Sequence, residues 1–337
     1  MKTTFISFVA ALALAGTVAG CGATTGDPVE KAATAGGGST SLTSCGLPLT
    51  VPAPPSRAIA LEQNATEIML SLGLGDRMIG TSYQTDPVLP ELRAGYEKVP
   101  VLAKLYPSRE AVRAANPDFV YSTYSSAYAP DAAGERKELG GLGVPAYLSA
   151  FACEDPAVAR DEVTFDGIFA EVRDIATIFG VAAKGDQVVA AQQGRLEAAK
   201  QTGAVAPDTS LLWYYSGTST PYVAGHGGLP DAISATLGVK NAFADAKQKW
   251  PAGNWEEIAQ RNPDVIVLAD LTRGGDGDSA QSKIDFLRAN PVTAKLDAVV
   301  NGRFITVSGS SMDPSIRSVS ALEQVSAGLR ATLPATR

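Results

Sequence analysis

Short apolar runs alternate with amphipathic stretches along most of the chain, and this alternation predicts strands that are each followed by a helix. Strand-like runs occupy residues 47–51, 57–61, 78–82, 119–124, 146–149, 211–215, 265–269 and 304–307. Helical periodicity covers residues 64–72, 108–115, 131–142, 165–179, 184–202, 229–237, 255–260, 282–288 and 318–329. Alternation of this kind is typical of a parallel sheet with helices on both faces, so we predict an α/β fold.

The two halves of the chain repeat each other around an alanine-rich stretch. Asn116-Pro117-Asp118 leads a predicted strand in the first half, and the same three residues recur as Asn262-Pro263-Asp264, 146 positions later. Residues 184–202 between the halves carry mostly strong helix formers. A helix of this length would be about 28 Å long. We therefore predict two Rossmann-like lobes, residues 45–183 and 204–337, joined by one long rigid helix over 184–203, with a ligand cleft between the lobes.

The first helix of the repeat carries a predicted start signal. Asn64 is a favourable N-cap residue, and Glu67 stands three residues later, which is the spacing of a capping box. We expect this helix to begin after Asn64.

The N-terminus has the pattern of a secretory signal peptide over residues 1–20. Lys2 precedes an apolar segment, and Val18-Ala19-Gly20 forms a small-residue cleavage site before Cys21. This ending resembles a bacterial lipobox, which implies a lipid on Cys21 and stable anchoring by more than one acyl chain. An ordinary secreted protein is the alternative. Residues 21–44 are rich in glycine, threonine and serine, so we expect a flexible tether. No later run approaches the roughly 20 apolar residues that span a bilayer, so the membrane is contacted by the lipid anchor only.

Two further cysteines, Cys45 and Cys153, lie in the first half. In an oxidising compartment an even number of cysteines favours a disulfide, and buried free thiols are the alternative. A bridge that closes a loop of this size would stabilise the fold by about 4–5 kcal/mol in the chain-entropy model.

Charge and residue types exclude several functions. The formal net charge is -7, so the surface offers no basic field for nucleic acid. Asp270, Asp276 and Asp278 lack the spacing of a calcium loop, and one histidine is too few for a zinc or manganese receptor. We expect no resident metal or cofactor. No nucleophile elbow or phosphate loop is present, although a secreted hydrolase that uses two carboxylates stays open as an alternative.

Three sequence features together carry a family resemblance. They are the stretch Ala65-Thr66-Glu67-Ile68-Met69-Leu70-Ser71-Leu72-Gly73-Leu74-Gly75-Asp76-Arg77-Met78-Ile79-Gly80, the two Asn-Pro-Asp strands, and Pro221-Tyr222-Val223-Ala224-Gly225. In this order they resemble the substrate-binding lipoproteins of bacterial ABC importers, in the branch that serves iron(III)-siderophores, haem and cobalamin. The resemblance covers roughly residues 48–330. One departure follows Gly228, where the family more often has a second glycine before an asparagine.

The resemblance implies two permease-docking glutamates, each placed seven residues before the proline of an Asn-Pro-Asp motif. This rule selects Glu110 and Glu256. One carboxylate on each lobe can pair with arginines of a twofold permease dimer. The alternative is that acidic residues simply favour the first turn of a helix.

The cleft between the lobes is expected to be aromatic, because loops at the carboxyl ends of strands line such sites. The aromatic candidates are Tyr83, Tyr124, Tyr128, Tyr215, Tyr222 and Trp250, and the polar candidates are His226, Arg273 and Arg317. In the cobalamin-binding member of the family, cleft aromatics occupy positions matching Tyr83, Tyr222 and Trp250. Ordinary core aromatics, a solvated arginine and a local hydrogen-bonding histidine are the alternatives.

These observations lead to an expected function. The chain should be a monomeric, non-catalytic receptor on the extracytoplasmic face of the cell membrane. It should capture an organic metal chelate and deliver it to an ABC importer permease dimer. We expect a ferric siderophore first, cobalamin second and haem third.

Overall fold

The computed structural model describes residues 38–200, 206, 208–275 and 277–333. Its strands are β1 (Thr40–Ser44), β2 (Leu47–Val51), β3 (Ala58–Ala60), β4 (Met78–Ser82), β5 (Val101–Ala103), β6 (Phe119–Ser122), β7 (Ala146–Leu148), β8 (Ser210–Ser216), β9 (Tyr222–Val223), β10 (Lys240–Asn241), β11 (Val265–Asp270) and β12 (Phe304–Ser308). Its helices are α1 (Gln63–Ser71), α2 (Arg93–Tyr96), α3 (Arg109–Ala115), α4 (Arg136–Gly141), α5 (Phe165–Ile178), α6 (Ala182–Lys200), α7 (Leu229–Thr236), α8 (Trp255–Arg261), α9 (Ala280–Ala289), α10 (Asp297–Val300) and α11 (Ser318–Thr332).

Each half of the chain builds its own mainly parallel sheet. The first sheet has the strand order β5-β4-β3-β6-β7, and the second has the order β10-β8-β11-β12 with β9 antiparallel beside β8. The inner strands β6 and β11 are mostly apolar and are buried along almost their whole length, as expected for parallel strands covered by helices. The predicted α/β fold with two central sheets is confirmed. We call the half with the first sheet the first lobe and the half with the second sheet the second lobe.

The Asn-Pro-Asp repeat has the same structural role in both lobes. Asn116 and Asn262 end α3 and α8 in the left-handed conformation, with φ of 50° and 40°. The carboxylate of Asp118 accepts hydrogen bonds from the backbone amide and hydroxyl of Ser56, and Asp264 accepts the same pair from Ser210. Each motif therefore joins a short helix to the first strand of its own sheet.

Helix α6 lies between the two sheets in the chain. It begins at Ala182, two residues before the predicted start at 184, and residues 201–203 of the predicted helix lie outside the described residues. Val189, Leu196 and Ala199 are buried along one side. This narrow apolar side packs against α5 and α11, as the spacing of the apolar residues indicated.

The predicted tether extends too far into the folded part of the chain. Thr40–Ser44 is a strand that pairs antiparallel with Leu47–Val51 across a turn at Cys45 and Gly46. Serine and threonine suggested a linker, but threonine also favours strands. Ser44 exchanges hydrogen bonds with the backbone of Leu148, which ties this hairpin to the first sheet.

Cys45 and Cys153 form a disulfide with a sequence separation of 108 residues. The bond joins the hairpin turn to the segment after β7. The predicted signal peptide, the predicted lipid-attachment residue Cys21 and most of the predicted tether lie outside the described residues. Among the residues the structure describes, no helix is long and apolar enough to cross a membrane.

The predicted capping box at Asn64 is wrong. Helix α1 begins at Gln63 with Glu62 as its N-cap residue, and no side chain caps it. Glu67 and Asn64 are both buried instead. Helix α4 begins at Arg136 rather than at residue 131, because the chain turns through Gly134 with φ of 94°. The short strands β5, β9 and β10 had no sequence signal.

Candidate functional site

A cavity of about 460 Å³ lies where the carboxyl ends of the strands of both sheets meet. The first lobe lines it with residues that follow β3, β4, β5 and β6, and the second lobe with residues at the ends of β8, β11 and β12 and on β9. The lining residues are Glu62, Gln63, Asn64, Tyr83, Thr85, Tyr106, Tyr124, Ser126, Tyr215, Ser216, Tyr222, Trp250, Leu271, Arg273, Ser310 and Asp313. Ligands of open α/β sheets bind at this edge of the strands.

Aromatic rings from both lobes form the walls of the cavity. In the first lobe, Tyr83 and Tyr106 stack with ring centroids 4.7 Å apart. In the second lobe, Tyr215 and Trp250 lie 5.1 Å apart. Tyr83 has φ of 50°, a conformation that is costly for a residue with a side chain and often occurs at ligand sites. The structure therefore presents one pair of rings on each side of the cavity.

Arg273 is the cation on the cavity wall, and a carboxylate already pairs with it. Its Nη2 atom donates a hydrogen bond to Asp278 Oδ1 at 2.7 Å, and its guanidinium lies 5.8 Å from the centre of the Tyr215 ring. The Asp278 residue is 6% exposed. The positive charge of Arg273 is therefore largely balanced within the protein.

Two carboxyl groups lie at the cavity, the buried Glu62 and the half-buried Asp313. Burial raises the pKa of Glu62 to about 7, although Thr123 and Ser122 donate hydrogen bonds to it. Burial also raises the pKa of Asp313 to about 6. The hydroxyl of Tyr124 donates a hydrogen bond to Asp313 Oδ2 at 2.7 Å, so this contact joins the two lobes. Near neutral pH both groups are partly protonated.

A buried lysine supports the loop that carries Arg273. Lys283 is 0% exposed, and its Nζ atom donates hydrogen bonds to the carbonyl oxygens of Ala269 and Asp278. The ammonium also lies 5.7 Å from the centre of the Tyr214 ring. Burial lowers the pKa of Lys283 to about 8. The lysine fixes both ends of the loop between β11 and α9, a role that the sequence did not suggest.

Six of the nine predicted ligand residues line the cavity: Tyr83, Tyr124, Tyr215, Tyr222, Trp250 and Arg273. Tyr128 does not, because it is a core residue whose hydroxyl donates a hydrogen bond to the carbonyl oxygen of Tyr147 at 2.7 Å. His226 also lies outside the lining. It contacts Asp231 at 3.1 Å and Glu162 at 3.4 Å.

Arg317 is a buried structural residue rather than part of the cavity lining. It is 5% exposed, and its Nε atom donates a hydrogen bond to Glu67 Oε2 at 2.6 Å. A second hydrogen bond from Nη2 completes a bidentate pair with the same carboxylate. Glu67 belongs to the first lobe and Arg317 to the second. The fully buried carboxylate needs a partner, and the arginine supplies it across the lobes.

Sequence reasoning missed three residues of the cavity that matter for its chemistry: Tyr106, Glu62 and Asp313. Glu62 follows β3 by two residues, so the rule that strand ends line the site could have selected it. Tyr106 and Asp313 lie in irregular segments whose path the sequence did not indicate. No cluster of three or more potential metal ligands occurs in the described part of the chain.

The two predicted docking glutamates occupy equivalent positions. Glu110 is the second residue of α3 and Glu256 the second residue of α8, and both are exposed. Ser108 and Asn254 cap these two helices through their side chains. Within the described ranges, neither glutamate takes part in an ion pair.

Comparison with known proteins identifies the class. The model of the family described as "Periplasmic binding protein" matches residues 59–310, three quarters of the chain. The chain belongs to this family. A relative in Bacillus subtilis is described as an ABC transporter substrate-binding lipoprotein, with 26% identity over 66% of this chain and 66% of that protein. The hydrolase alternative finds no support in the family.

Individual relatives agree with this class. The vitamin B12-binding protein of Vibrio campbellii is 26% identical over 232 residues, which cover 69% of this chain and 77% of that protein. A periplasmic binding protein from Veillonella parvula is 28% identical, with a TM-score of 0.76 over 88% of this chain and 98% of that one. A protein of an Fe3+-hydroxamate transport system from Saccharomonospora viridis has a TM-score of 0.72 at 22% identity, over 86% and 98% of the two chains. The last similarity supports the fold alone.

Proposed function

We propose that this protein captures a cobalamin-type corrinoid in the cavity between its lobes and delivers it to the permease of an ABC importer. The observation that carries the proposal is a wall of aromatic rings from both lobes with no unbalanced positive charge. This choice puts cobalamin ahead of the ferric siderophore that the sequence favoured. Four of the rings form two pairs, Tyr83 with Tyr106 and Tyr215 with Trp250.

The charge of the cavity supports this ranking. Its charged lining residues are Arg273, Glu62 and Asp313, and Arg273 is paired with Asp278. As pH rises through about 6 and about 7, Asp313 and Glu62 lose their protons, so the cavity changes from nearly neutral to negative. Multiply anionic ligands such as ferric catecholates, and haem with its propionates, would meet repulsion there. A corrinoid has no large net negative charge.

The chemistry of the walls also fits a bulky ligand with a planar part. Aromatic rings provide large contact area at a low cost in conformational entropy. The neutral polar groups of Asn64 and Ser126 can accept hydrogen bonds from, or donate them to, the amide side chains of a corrinoid. The curated relatives that are named as vitamin B12-binding proteins add support.

An uncharged or cationic ferric hydroxamate is the second candidate. The same near-neutral cavity favours it over ferric catecholates, because the hydroxamate complex does not carry their negative charge. The contribution of the protein is binding alone in either case: the rings orient the chelate, and the lobes exclude water from it.

Titration with four chelates tests the ligand assignment. The purified protein would be mixed with cyanocobalamin, a neutral ferric trihydroxamate, a ferric tricatecholate and haemin at pH 8.0 and pH 5.5. We expect cyanocobalamin to bind most tightly. The tricatecholate should bind weakly at pH 8.0 and more tightly at pH 5.5, because protonation of Glu62 and Asp313 removes negative charge. Tighter binding of the tricatecholate than of cyanocobalamin at pH 8.0 would contradict the proposal.

Delivery is proposed to depend on Glu110 and Glu256, and retention at the membrane on a lipid at Cys21. The double variant Glu110→Gln with Glu256→Gln should lose chelate uptake in the native cells but keep its chelate affinity. Uptake at the normal rate by this variant would remove the docking assignment and leave the ligand assignment unaffected.

A further inference from the structure

Two arginines flank the proposed docking carboxylate of the first lobe. Arg109 precedes Glu110 on α3, and Arg113 follows it by three residues. Opposite charges three residues apart on a helix are neighbours and commonly pair. Arg113 is therefore the natural intramolecular partner of Glu110, and such a pair would compete with any arginine of a permease.

In the structure both arginines pair with Glu138 instead of Glu110. Arg109 Nη1 donates a hydrogen bond to Glu138 Oε2 at 3.0 Å, and Arg113 Nη2 donates one to Glu138 Oε1. Glu138 lies on α4, outside the helix that carries Glu110. One carboxylate thus holds both guanidinium groups.

Glycine at position 134 makes room for this arrangement. A Cβ atom on Gly134 would lie 2.6 Å from Cδ of Arg109, and the φ of Gly134 is 94°. The stem of Arg109 therefore lies directly over this turn on its way to Glu138. A larger residue here would displace the arginine.

Glu110 itself is held by local groups. Hydrogen bonds from its own backbone amide and from the hydroxyl of Ser108 are the main causes that lower the pKa of Glu110, and the charges of Arg109 and Arg113 lower it further without an ion pair. The carboxylate is therefore ionised and stays at the exposed N-terminal end of α3, where the helix dipole also favours a negative charge.

In the second lobe, Glu256 is also without an intramolecular ion pair among the described residues, but for a different reason. The residues three and four positions after Glu256 are Ala259 and Gln260, so no cation stands at pairing distance along α8. Arg261 at the end of this helix pairs with Glu257 and Asp245. In the first lobe, by contrast, the competing cation is present and must be held away.

We infer that Glu138 is a positioning residue that holds Arg109 and Arg113 away from Glu110 and keeps this carboxylate available to an arginine of the importer permease. The inference rests on the proposed docking role of Glu110. It assigns α4 to the docking surface of the first lobe, although α4 carries no docking residue itself.

The first test needs neither ligand nor permease. The side-chain carboxyl of Glu110 would be titrated by NMR in the wild type, in E138Q and in E138Q/R113Q. We expect E138Q to lower the pKa of Glu110 further because the released Arg113 pairs with it, and E138Q/R113Q to reverse this shift. E323Q is the matched control, because it breaks the surface pair between Arg195 and Glu323 on another face. An unchanged Glu110 titration in E138Q would overturn the inference.

The second test measures transport in the native cells. E138Q should reduce the rate of cyanocobalamin uptake at limiting protein by about two- to fivefold, the range expected for a partly exposed ion pair. Adding R109Q and R113Q should restore uptake, and cyanocobalamin affinity should stay unchanged in all variants. If E110Q/E256Q abolishes uptake but E138Q leaves it unchanged, the role of Glu138 is refuted. If E110Q/E256Q itself leaves uptake unchanged, the docking proposal fails instead.

Discussion

At the scale of single residues, the chemistry of the cavity depends on a few rings and two carboxyl groups. Trp250 packs against Tyr215, and its indole partly offsets the rise in the pKa of Asp313. This one side chain therefore contributes to the wall and to the electrostatics of the carboxyl group that Tyr124 contacts from the first lobe. Tyr128 is a tyrosine like several residues of the wall, but it lies outside the cavity. Its hydroxyl donates hydrogen bonds to backbone carbonyl oxygens of the core.

Substitution of one aromatic residue on the cavity wall and one outside it should show which rings contact the ligand. Trp250→Ala should weaken cyanocobalamin binding by about five- to 140-fold, because a ring that contacts a ligand contributes about 1–3 kcal/mol. Tyr128→Phe keeps the ring and removes only a hydroxyl outside the cavity, so its affinity should match the wild type. Isothermal titration calorimetry distinguishes them, and equal losses in both variants would contradict the assignment of the cavity.

A second prediction concerns Glu171, a buried carboxyl group outside the cavity. Burial raises its pKa from 4.5 to about 7, although Tyr121 and Ser149 donate hydrogen bonds to it. Since the folded pKa is the higher one, this group stabilises the fold fully below pH 4.5, and this stabilisation is lost as pH rises through 7. Titration of this one group should lower the free energy of unfolding by about 2.5 kcal/mol between pH 5 and pH 8.

Urea denaturation at both pH values measures this loss. Glu171→Gln keeps hydrogen-bonding capacity without the titration, so its stability should change less with pH than that of the wild type. Glu154→Gln, at an exposed position, is the control and should keep the wild-type dependence on pH. A dependence in Glu171→Gln as steep as in the wild type would show that other groups cause it.

At the scale of secondary structure, two equivalent short helices carry the proposed docking residues. One hairpin is attached to the first lobe by a disulfide and by hydrogen bonds. Helices α3 and α8 each have seven residues, a side-chain N-cap and an asparagine in the left-handed conformation at the end. The hairpin of β1 and β2 has a different support. Ser44 and Arg136 attach it to β7, the outer strand of the first sheet, and the disulfide attaches it to the segment after β7.

Loss of the disulfide should affect stability rather than binding. The variant Cys45→Ser with Cys153→Ser is expected to lose up to about 4–5 kcal/mol of unfolding free energy, because the bridge closes a long loop. Its cyanocobalamin affinity should stay close to that of the wild type, since neither cysteine lines the cavity. Thermal unfolding and calorimetric titration would check the two statements, and a large loss of affinity without loss of stability would contradict them.

At the scale of the whole molecule, polar contacts between the lobes surround the cavity. The buried pair of Glu67 and Arg317 is the most enclosed, with side chains 0% and 7% exposed. The carboxylate of Asp86 accepts a hydrogen bond from the backbone amide of Ser310, which is a further contact between the lobes. These contacts join the two lobes beside the cavity.

Glu67→Gln should therefore be costly. Breaking a buried ion pair leaves an uncompensated charge on Arg317, for which about 3–5 kcal/mol is typical. Glu323→Gln breaks a partly exposed pair with Arg195 and should cost less than about 1 kcal/mol. Chemical denaturation of both variants compares the two pairs, and equal small losses would show that the buried pair does not hold the lobes together.

The sequence by itself determined the α/β class, the repeat and most of the aromatic wall. Periodicity reports which face of each element is buried, and a repeated motif such as Asn-Pro-Asp produces the same local geometry wherever it occurs. Tyr83, Tyr215 and Trp250 were found because the carboxyl ends of parallel strands share one edge. The strand Thr40–Ser44 was missed because its pairing with β2 outweighs a composition typical of linkers.

Only the tertiary structure decided the roles of charged and buried polar groups. The sequence predicts a capping role for Glu67 and a ligand-binding role for Arg317. In the structure the two side chains instead pair with each other across 250 positions. Glu138, Lys283 and Asp313 carry no local signal, because their partners come from other elements of the fold. Local sequence sets the path of the backbone, whereas the partner of a buried charge depends on which distant groups the packing brings within hydrogen-bond distance.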